Sequence, residues 1–141
     1  MLDDAGHEFS GCCISATLRD VGRYGLFFKD GAKINGKSIV PDTWIHDATT
    51  SSAVARKPDG SGYGYQWWVR TPPVYEASGI FGQMIHINPE LDLVIVTQSA
   101  WPTSGDRNDS QARQAFVFGV EAAIRNGPAY SGPPPLFVMV H

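Results

Sequence analysis

The residues whose types and spacing could do chemistry lie in one stretch, Glu76-Ala77-Ser78-Gly79-Ile80-Phe81-Gly82-Gln83-Met84-Ile85-His86-Ile87-Asn88-Pro89-Glu90. It opens as an extended segment, carries glycines three residues apart, continues as a strand and closes in Asn88-Pro89-Glu90, a turn by composition. A glycine in a strand marks a bulge or a close approach by a ligand or another backbone, because no Cβ stands in the way. Gly79 and Gly82 therefore predict a strand edge kept bare, with Ser78 and Phe81 beside it as candidate pocket lining. The same glycines fit an ordinary antiparallel bulge, so this stretch alone leaves both readings open. His86, on the following strand, is read as structural.

Nucleophile signatures are missing. No serine stands in a Gly-x-Ser-x-Gly frame, and none is followed three residues on by a lysine, which a helix would bring alongside it. His7, His46, His86 and His141 have no zinc spacing, and no glycine pattern matches a phosphate or dinucleotide loop. Neither a metal nor a cofactor is expected. Cys12 and Cys13 are adjacent; their Cα atoms, about 3.8 Å apart, are too close for ordinary disulfide geometry. They read as reduced thiols packed as small apolar groups.

The stretch must be positioned by elements on either side. Ser15 is a good N-cap, and Ile14, Leu18, Val21, Gly25 and Phe28 recur at helical spacing, so Ser15–Lys29 predicts a helix stopped at Asp30-Gly31. A short helix within Ile39–Ala48 has Pro41 near its first turn and Trp44 and Ile45 as anchors. Thr49–Gly62 reads as a surface loop. Tyr63–Arg70 predicts a strand with Tyr63, Tyr65, Trp67 and Val69 on one face. Residues 82–87 and 92–98 predict a hairpin, and Leu93–Val96 is apolar on both faces, as a central strand should be. Arg107–Arg125 predicts a helix whose apolar face is Ala112, Ala115, Phe116, Gly119, Val120 and Ala123, stopped by Asn126-Gly127-Pro128. The order is helix, loop, three antiparallel strands, helix, which is an α+β class. Residues 127–141 read as a Pro-rich tail after an ordered part at 1–126.

Length and composition fit one domain or a large piece of one: 141 residues, 43% hydrophobic and 18% charged. A net charge of −3 with no run of Lys and Arg argues against a nucleic-acid partner. No apolar stretch is long enough to span a membrane. Met1–Ser10 is acidic and short of apolar residues, unlike a secretory signal; a chain complete as it stands is expected in the cytoplasm.

Four segments in order carry a resemblance. Ser10–Phe28 is similar to the segment that follows the catalytic Tyr motif of β-lactamase-like serine hydrolases, and Gly62–Trp68, Gly79–Gln83 and Ile87–Val96 are similar to their closing strands. From about residue 10 to residue 126 the chain resembles the C-terminal part of the β-lactamase and penicillin-binding-protein superfamily. The Gly-Ile-x-Gly-Gln wording of residues 79–83 looks closest to the branch with 6-aminohexanoate-dimer hydrolases and related esterases.

The resemblance implies a partial β-lactamase/transpeptidase-like fold, an antiparallel sheet flanked by helices. In the family, a serine attacks an amide or ester carbonyl of a small substrate while a lysine and a tyrosine move protons. Carried onto this sequence, Gly79 ends the family's edge-strand motif and the Ile80 N–H is an oxyanion donor. Many penicillin-recognising members carry Lys or His two residues before that glycine, where Ala77 stands here. The missing cation weakens the case for a substrate carboxylate of the β-lactam kind. Without nucleophile, lysine or tyrosine, the chain alone is expected to be inactive, and its uncovered sheet edge to favour self-association. The alternatives are a carbohydrate-binding module using Tyr63, Tyr65 and Trp67, or a relative that kept the sheet and lost the chemistry.

Overall fold

The structure, a computed structural model, describes residues 2–7, 14–41 and 43–127. Cys12, Cys13 and the tail from Pro128 onward lie outside these residues. The first helix, α1, spans Leu18–Lys29 and begins later than Ser15. Its N-cap is Thr17, whose Oγ1 accepts from Asp20 N–H at 3.2 Å and donates to the Asp20 carboxylate at 2.7 Å. The Asp20 N–H also donates to Thr17 O at 3.0 Å, so the first turn closes on Thr17 and not on Ser15. Ile14, placed on the buried stripe by the sequence, is exposed. The C-terminus stops as the Asp30-Gly31 pair predicts, with Gly31 at φ +78° and its N–H donating to Phe28 O.

Two small elements follow. Strands β1 (Lys33–Ile34) and β2 (Lys37–Ser38) pair across Asn35-Gly36, both at positive φ. Helix α2 is confined to Trp44–Thr49, with Trp44 N–H donating to Pro41 O.

The predicted strand over 63–70 is instead a hairpin. Strand β3 is Gly62–Tyr63 and β4 is Trp68–Val69, paired Gly62↔Val69 and Tyr63↔Trp68. Gly64 N–H donates to Trp67 O, and Gln66 adopts φ +64°, which turns the chain between the arms. A Cβ at Gly64 would strike the Ala48 carbonyl, so the turn is pressed onto the end of α2. The residues expected to share a face are separated: Trp67 is buried at 4% exposure, while Tyr63 and Tyr65 are exposed.

Strands β5 (Tyr75–Ser78), β6 (Met84–Asn88) and β7 (Leu93–Thr97) complete a five-stranded antiparallel sheet ordered β3-β4-β5-β6-β7. The β6–β7 hairpin turns through a 3-10 segment, Pro89–Leu91, capped by the Asn88 side chain, which accepts from Glu90 N–H and Leu91 N–H. Strand β7 is an edge of this sheet among the described residues. It is apolar on both faces because helices cover both. Helix α1 packs on β6 and β7 so closely that a Cβ at Gly25 would lie 2.6 Å from Val94 Cγ1. Tyr75, Ala77, Ile85, Ile87 and Val94 form that face with Phe28, Ala48 and Trp67. The Trp67 ring sits 4.9 Å from Phe28 and 5.1 Å from Tyr75, centre to centre.

Helix α3, Arg107–Asn126, covers the opposite face, where Met84 and Ile95 meet Val117, with Leu93 and Val120 beside them. Its buried side is not the predicted apolar one. Ala112, Ala115, Phe116, Gly119 and Ala123 are exposed, and the inward residues include Arg113, Gln114, Val117 and Glu121. The helix rotates this way because Arg113 and Glu121 have buried partners on the sheet. The result is an α+β arrangement with one antiparallel sheet between helices.

Candidate active site

Strand β5 is covered by β4 only at its start, where Trp68 pairs with Glu76 and Val69 with Tyr75. Ala77 and Ser78 pair with β6 on the other side and have no β4 partner, so among the described residues this half of the β5 edge is bare. The chain then turns back over residues 79–83. Gly79 N–H donates to Gln83 O at 2.8 Å, and Gly82 N–H donates to Gly79 O at 3.3 Å. Gly82 is required by close approach and backbone conformation, while a side chain at Gly79 would have to displace Gln83. A Cβ at Gly79 would strike Gln83 Oε1, and one at Gly82, which also has φ +91°, would strike the Trp101 ring. Gly79 and Gly82 thus lie in the turn between β5 and β6 and not within a strand.

The turn is held from outside. Ile80 O accepts from Gly105 N–H at 2.7 Å and Phe81 O from Trp101 N–H at 3.2 Å. Gln83 Oε1 accepts from Phe81 N–H at 3.3 Å, and Gln83 Nε2 donates to Ser99 O at 3.4 Å. Ile80 is 65% exposed, and its N–H has no acceptor among the described residues. Ser78 is half-buried on the α3 face, where its Oγ accepts from Arg113 Nη2 at 2.9 Å. Phe81 is exposed, and Ala77 packs into the α1-side core, so no cation stands at its position. The structure therefore brings Ser78, Gly79, Ile80 and Phe81 together at the exposed end of β5. Sequence reasoning missed Arg113, Trp101 and Ser99, which arrive from distant segments without a local signal.

Beneath the turn, on the α3 face, lies a buried charge network. Glu76 pairs with Arg70 and, through Oε2, with His86 Nδ1 at 3.4 Å; His86 Nε2 lies 3.1 Å from Glu121 Oε1. Asn88 Nδ2 donates to the same Glu121 oxygen at 2.6 Å. Burial disfavours the imidazolium, but the hydrogen bonds with Glu76 and Glu121 outweigh it and hold the His86 pKa above its ordinary value. Burial also disfavours both carboxylates, yet His86 and Arg70 at Glu76, and Asn88 and His86 at Glu121, hold them below theirs. His86 thus fastens α3 to the sheet. Among the described residues no cluster of three or more His, Cys, Asp or Glu could hold a metal ion, and no helix is long and apolar enough to cross a membrane.

A groove of about 550 Å³ lies elsewhere, floored by Tyr63, Trp68 and Arg70 and walled by Phe118 and Arg125 of α3. None of Ser78–Phe81 lines it.

Comparison with known proteins gives the family. The 6-aminohexanoate-dimer hydrolase of Paenarthrobacter ureafaciens is 28% identical over 134 residues, which cover 87% of this chain and 34% of that protein. The structure of a putative 6-aminohexanoate-dimer hydrolase from Bacillus anthracis matches with a TM-score of 0.71 at 23% identity, covering 91% of this chain and 34% of that one, a likeness of fold. The chain thus spans about a third of the length of the relatives it matches. Residues 4–119 match the family described as Beta-lactamase. With most of its length inside that match, and with the fold to go with it, the chain belongs to the Beta-lactamase family.

Proposed function

We propose that this chain is the C-terminal part of a serine hydrolase that cleaves an amide or ester bond in a small substrate, and that it supplies one wall of the cleft and one oxyanion donor. The observation that carries the reading is the Ile80 N–H, on an exposed residue and without an acceptor among the described residues, in a turn whose Gly79, Phe81 and Gly82 N–H groups are all engaged. When a serine oxygen attacks a carbonyl, the carbonyl oxygen gains negative charge. A fixed N–H aimed at it contributes about 3–4 kcal/mol to the transition state in a dry site. Gly79 suits this geometry because a substrate can lie against the bare β5 edge. Ser78 and Phe81 flank the approach.

No serine here is followed three residues on by lysine and no tyrosine is followed two residues on by asparagine, so the nucleophile, its lysine and the tyrosine motif are not on this chain. The chain alone is therefore inactive. Turnover of a p-nitrophenyl ester by the purified chain, abolished by a serine-directed phosphonate, would overturn this. Sequencing upstream of the Met1 codon tests the wider reading: an open frame with Ser-x-x-Lys and Tyr-x-Asn supports it, and a stop with a genuine promoter favours a non-catalytic relative. Ala77 leaves β5 without a cation two residues before Gly79, so a small amide or ester fits the reading better than a β-lactam. Amides of 6-aminohexanoate, named in the relatives, are the first substrates to try on the intact protein.

The carbohydrate-binding alternative shifts from the predicted trio to Tyr63 and Trp68, whose rings lie 4.7 Å apart beside the groove. Quenching of tryptophan fluorescence by oligosaccharides would favour it.

A further inference from the structure

We infer that Arg113 is a positioning residue for the turn that presents the Ile80 N–H. The inference rests on the oxyanion reading of Ile80 and adds a residue to it. Arg113 lies in the second turn of α3 and reaches the sheet, where its guanidinium makes three contacts around one short segment. Nη2 donates to Ser78 Oγ at 2.9 Å, just before the turn. Nη1 donates to Gln83 O at 3.3 Å, at its far end. That carbonyl already accepts the Gly79 N–H, so Arg113 braces the bond that closes the turn. The guanidinium carbon also sits 4.9 Å from the centre of the Trp101 ring. Trp101 in turn fills the space a side chain at Gly82 would need, and its N–H donates to Phe81 O.

One planar cation therefore ties both ends of the turn and the segment that covers it, and touches none of the atoms at which reaction would occur. The planar fork matters. Two N–H groups on different nitrogens point at two acceptors while the face stays on an indole, which a lysine ammonium cannot do together. Nothing local in the sequence marks this role, because Ser78 and Arg113 are 35 residues apart.

The test is amide hydrogen exchange by NMR on the full chain, read at Gly79, Trp101 and Gly105, whose acceptors are Gln83 O, Phe81 O and Ile80 O. In Arg113→Met these amides are expected to exchange about tenfold faster or more, in keeping with loss of charge-assisted hydrogen bonds. Amides of β6 and β7 are expected to keep their rates. Arg113→Lys is expected to recover the protection only in part and to leave the Trp101 indole resonance shifted. Ser78→Ala, which keeps Arg113 and removes one acceptor, is expected to give a smaller acceleration confined to the same amides and serves if the arginine variants fold poorly. Unchanged turn amides in Arg113→Met or Ser78→Ala, equal acceleration throughout β6 and β7, or full recovery with lysine would each overturn the inference. The rates are read without substrate, so a failure of Ile80 as an oxyanion donor leaves them where they are.

Discussion

Replacing Glu121 by glutamine isolates the charge of the buried network while keeping its shape. Glu121 Oε1 accepts from Asn88 Nδ2 at 2.6 Å and lies 3.1 Å from His86 Nε2. A glutamine oxygen can keep both contacts, so what is lost is the attraction between carboxylate and imidazolium. The side chains of Glu121, His86 and Glu76 are 14%, 3% and 1% exposed, so solvent screens this attraction little. A hydrogen bond to a charged group contributes about 1.5–3 kcal/mol against about 1 kcal/mol for a neutral one, and Glu121→Gln is expected to destabilise the chain by the difference, about 1–2 kcal/mol, where His86 is protonated.

The pH dependence carries the sharper test. The folded pKa of His86 is raised above 6.5, so its contribution is fully present below 6.5 and is lost as pH rises through the folded value. Glu76 and Glu121 are lowered below 4.5, so theirs is present above 4.5 and is lost as pH falls through their folded values. The network stabilises most between those limits. The charged neighbours leave the signs unchanged: Arg70, just after β4, and Arg113 of α3 act on Glu76, and Arg125 acts on Glu121. Urea unfolding of wild type and Glu121→Gln is the assay, near pH 6 and again above the folded His86 value. The penalty should shrink at the higher pH. A penalty equal at both, or none near pH 6, would refute the reasoning that His86 is an imidazolium held by two carboxylates.

Trp67→Ala removes the ring between Phe28 and Tyr75 and is expected to cost about 3–5 kcal/mol in urea unfolding. Gly25→Val would drive side-chain atoms into Val94 on β7 and is expected to cost about 1–3 kcal/mol by the same measurement. The uncovered edge of β7 and the outward Phe116, Phe118 and Ile124 of α3 predict self-association. Light scattering should show oligomers that Phe118→Glu reduces, and a monodisperse monomer of the wild type would count against it.

The elements that were legible in the sequence are those whose signals are local. Asp30-Gly31 stops α1 because a left-handed glycine can close a helix, and Asn88-Pro89 turns β6 into β7 because the Asn88 side chain caps the turn. The β1–β2 hairpin was as local, in Asn35-Gly36, but its arms of two residues carry no alternation to frame the turn. The alternation over 63–70 suggested one strand, yet Gly64 and Gln66 fold the segment back. Two-fold periodicity cannot reveal a turn whose residues happen to continue it.

The misplaced face of α3 shows where pattern reading stops. Counting apolar residues put Ala112, Phe116 and Ala123 inward, because an amphipathic helix ordinarily buries its apolar stripe. Here the sheet presents Glu76, His86 and Ser78 on that side, and a helix facing them must bring partners for buried polar groups, since each left unpaired costs about 1–3 kcal/mol. Arg113 and Glu121 answer that need, and Val117 between them fills the apolar remainder against Met84 and Ile95. Arg113, one of the two charges that turn α3 inward, also contacts both ends of the 79–83 turn, so the orientation of the helix and the set of the turn share one side chain. The glycines of the turn could be read from one stretch. What holds the turn could not, because its partners come from residues 99 to 113 and meet it only in the folded chain.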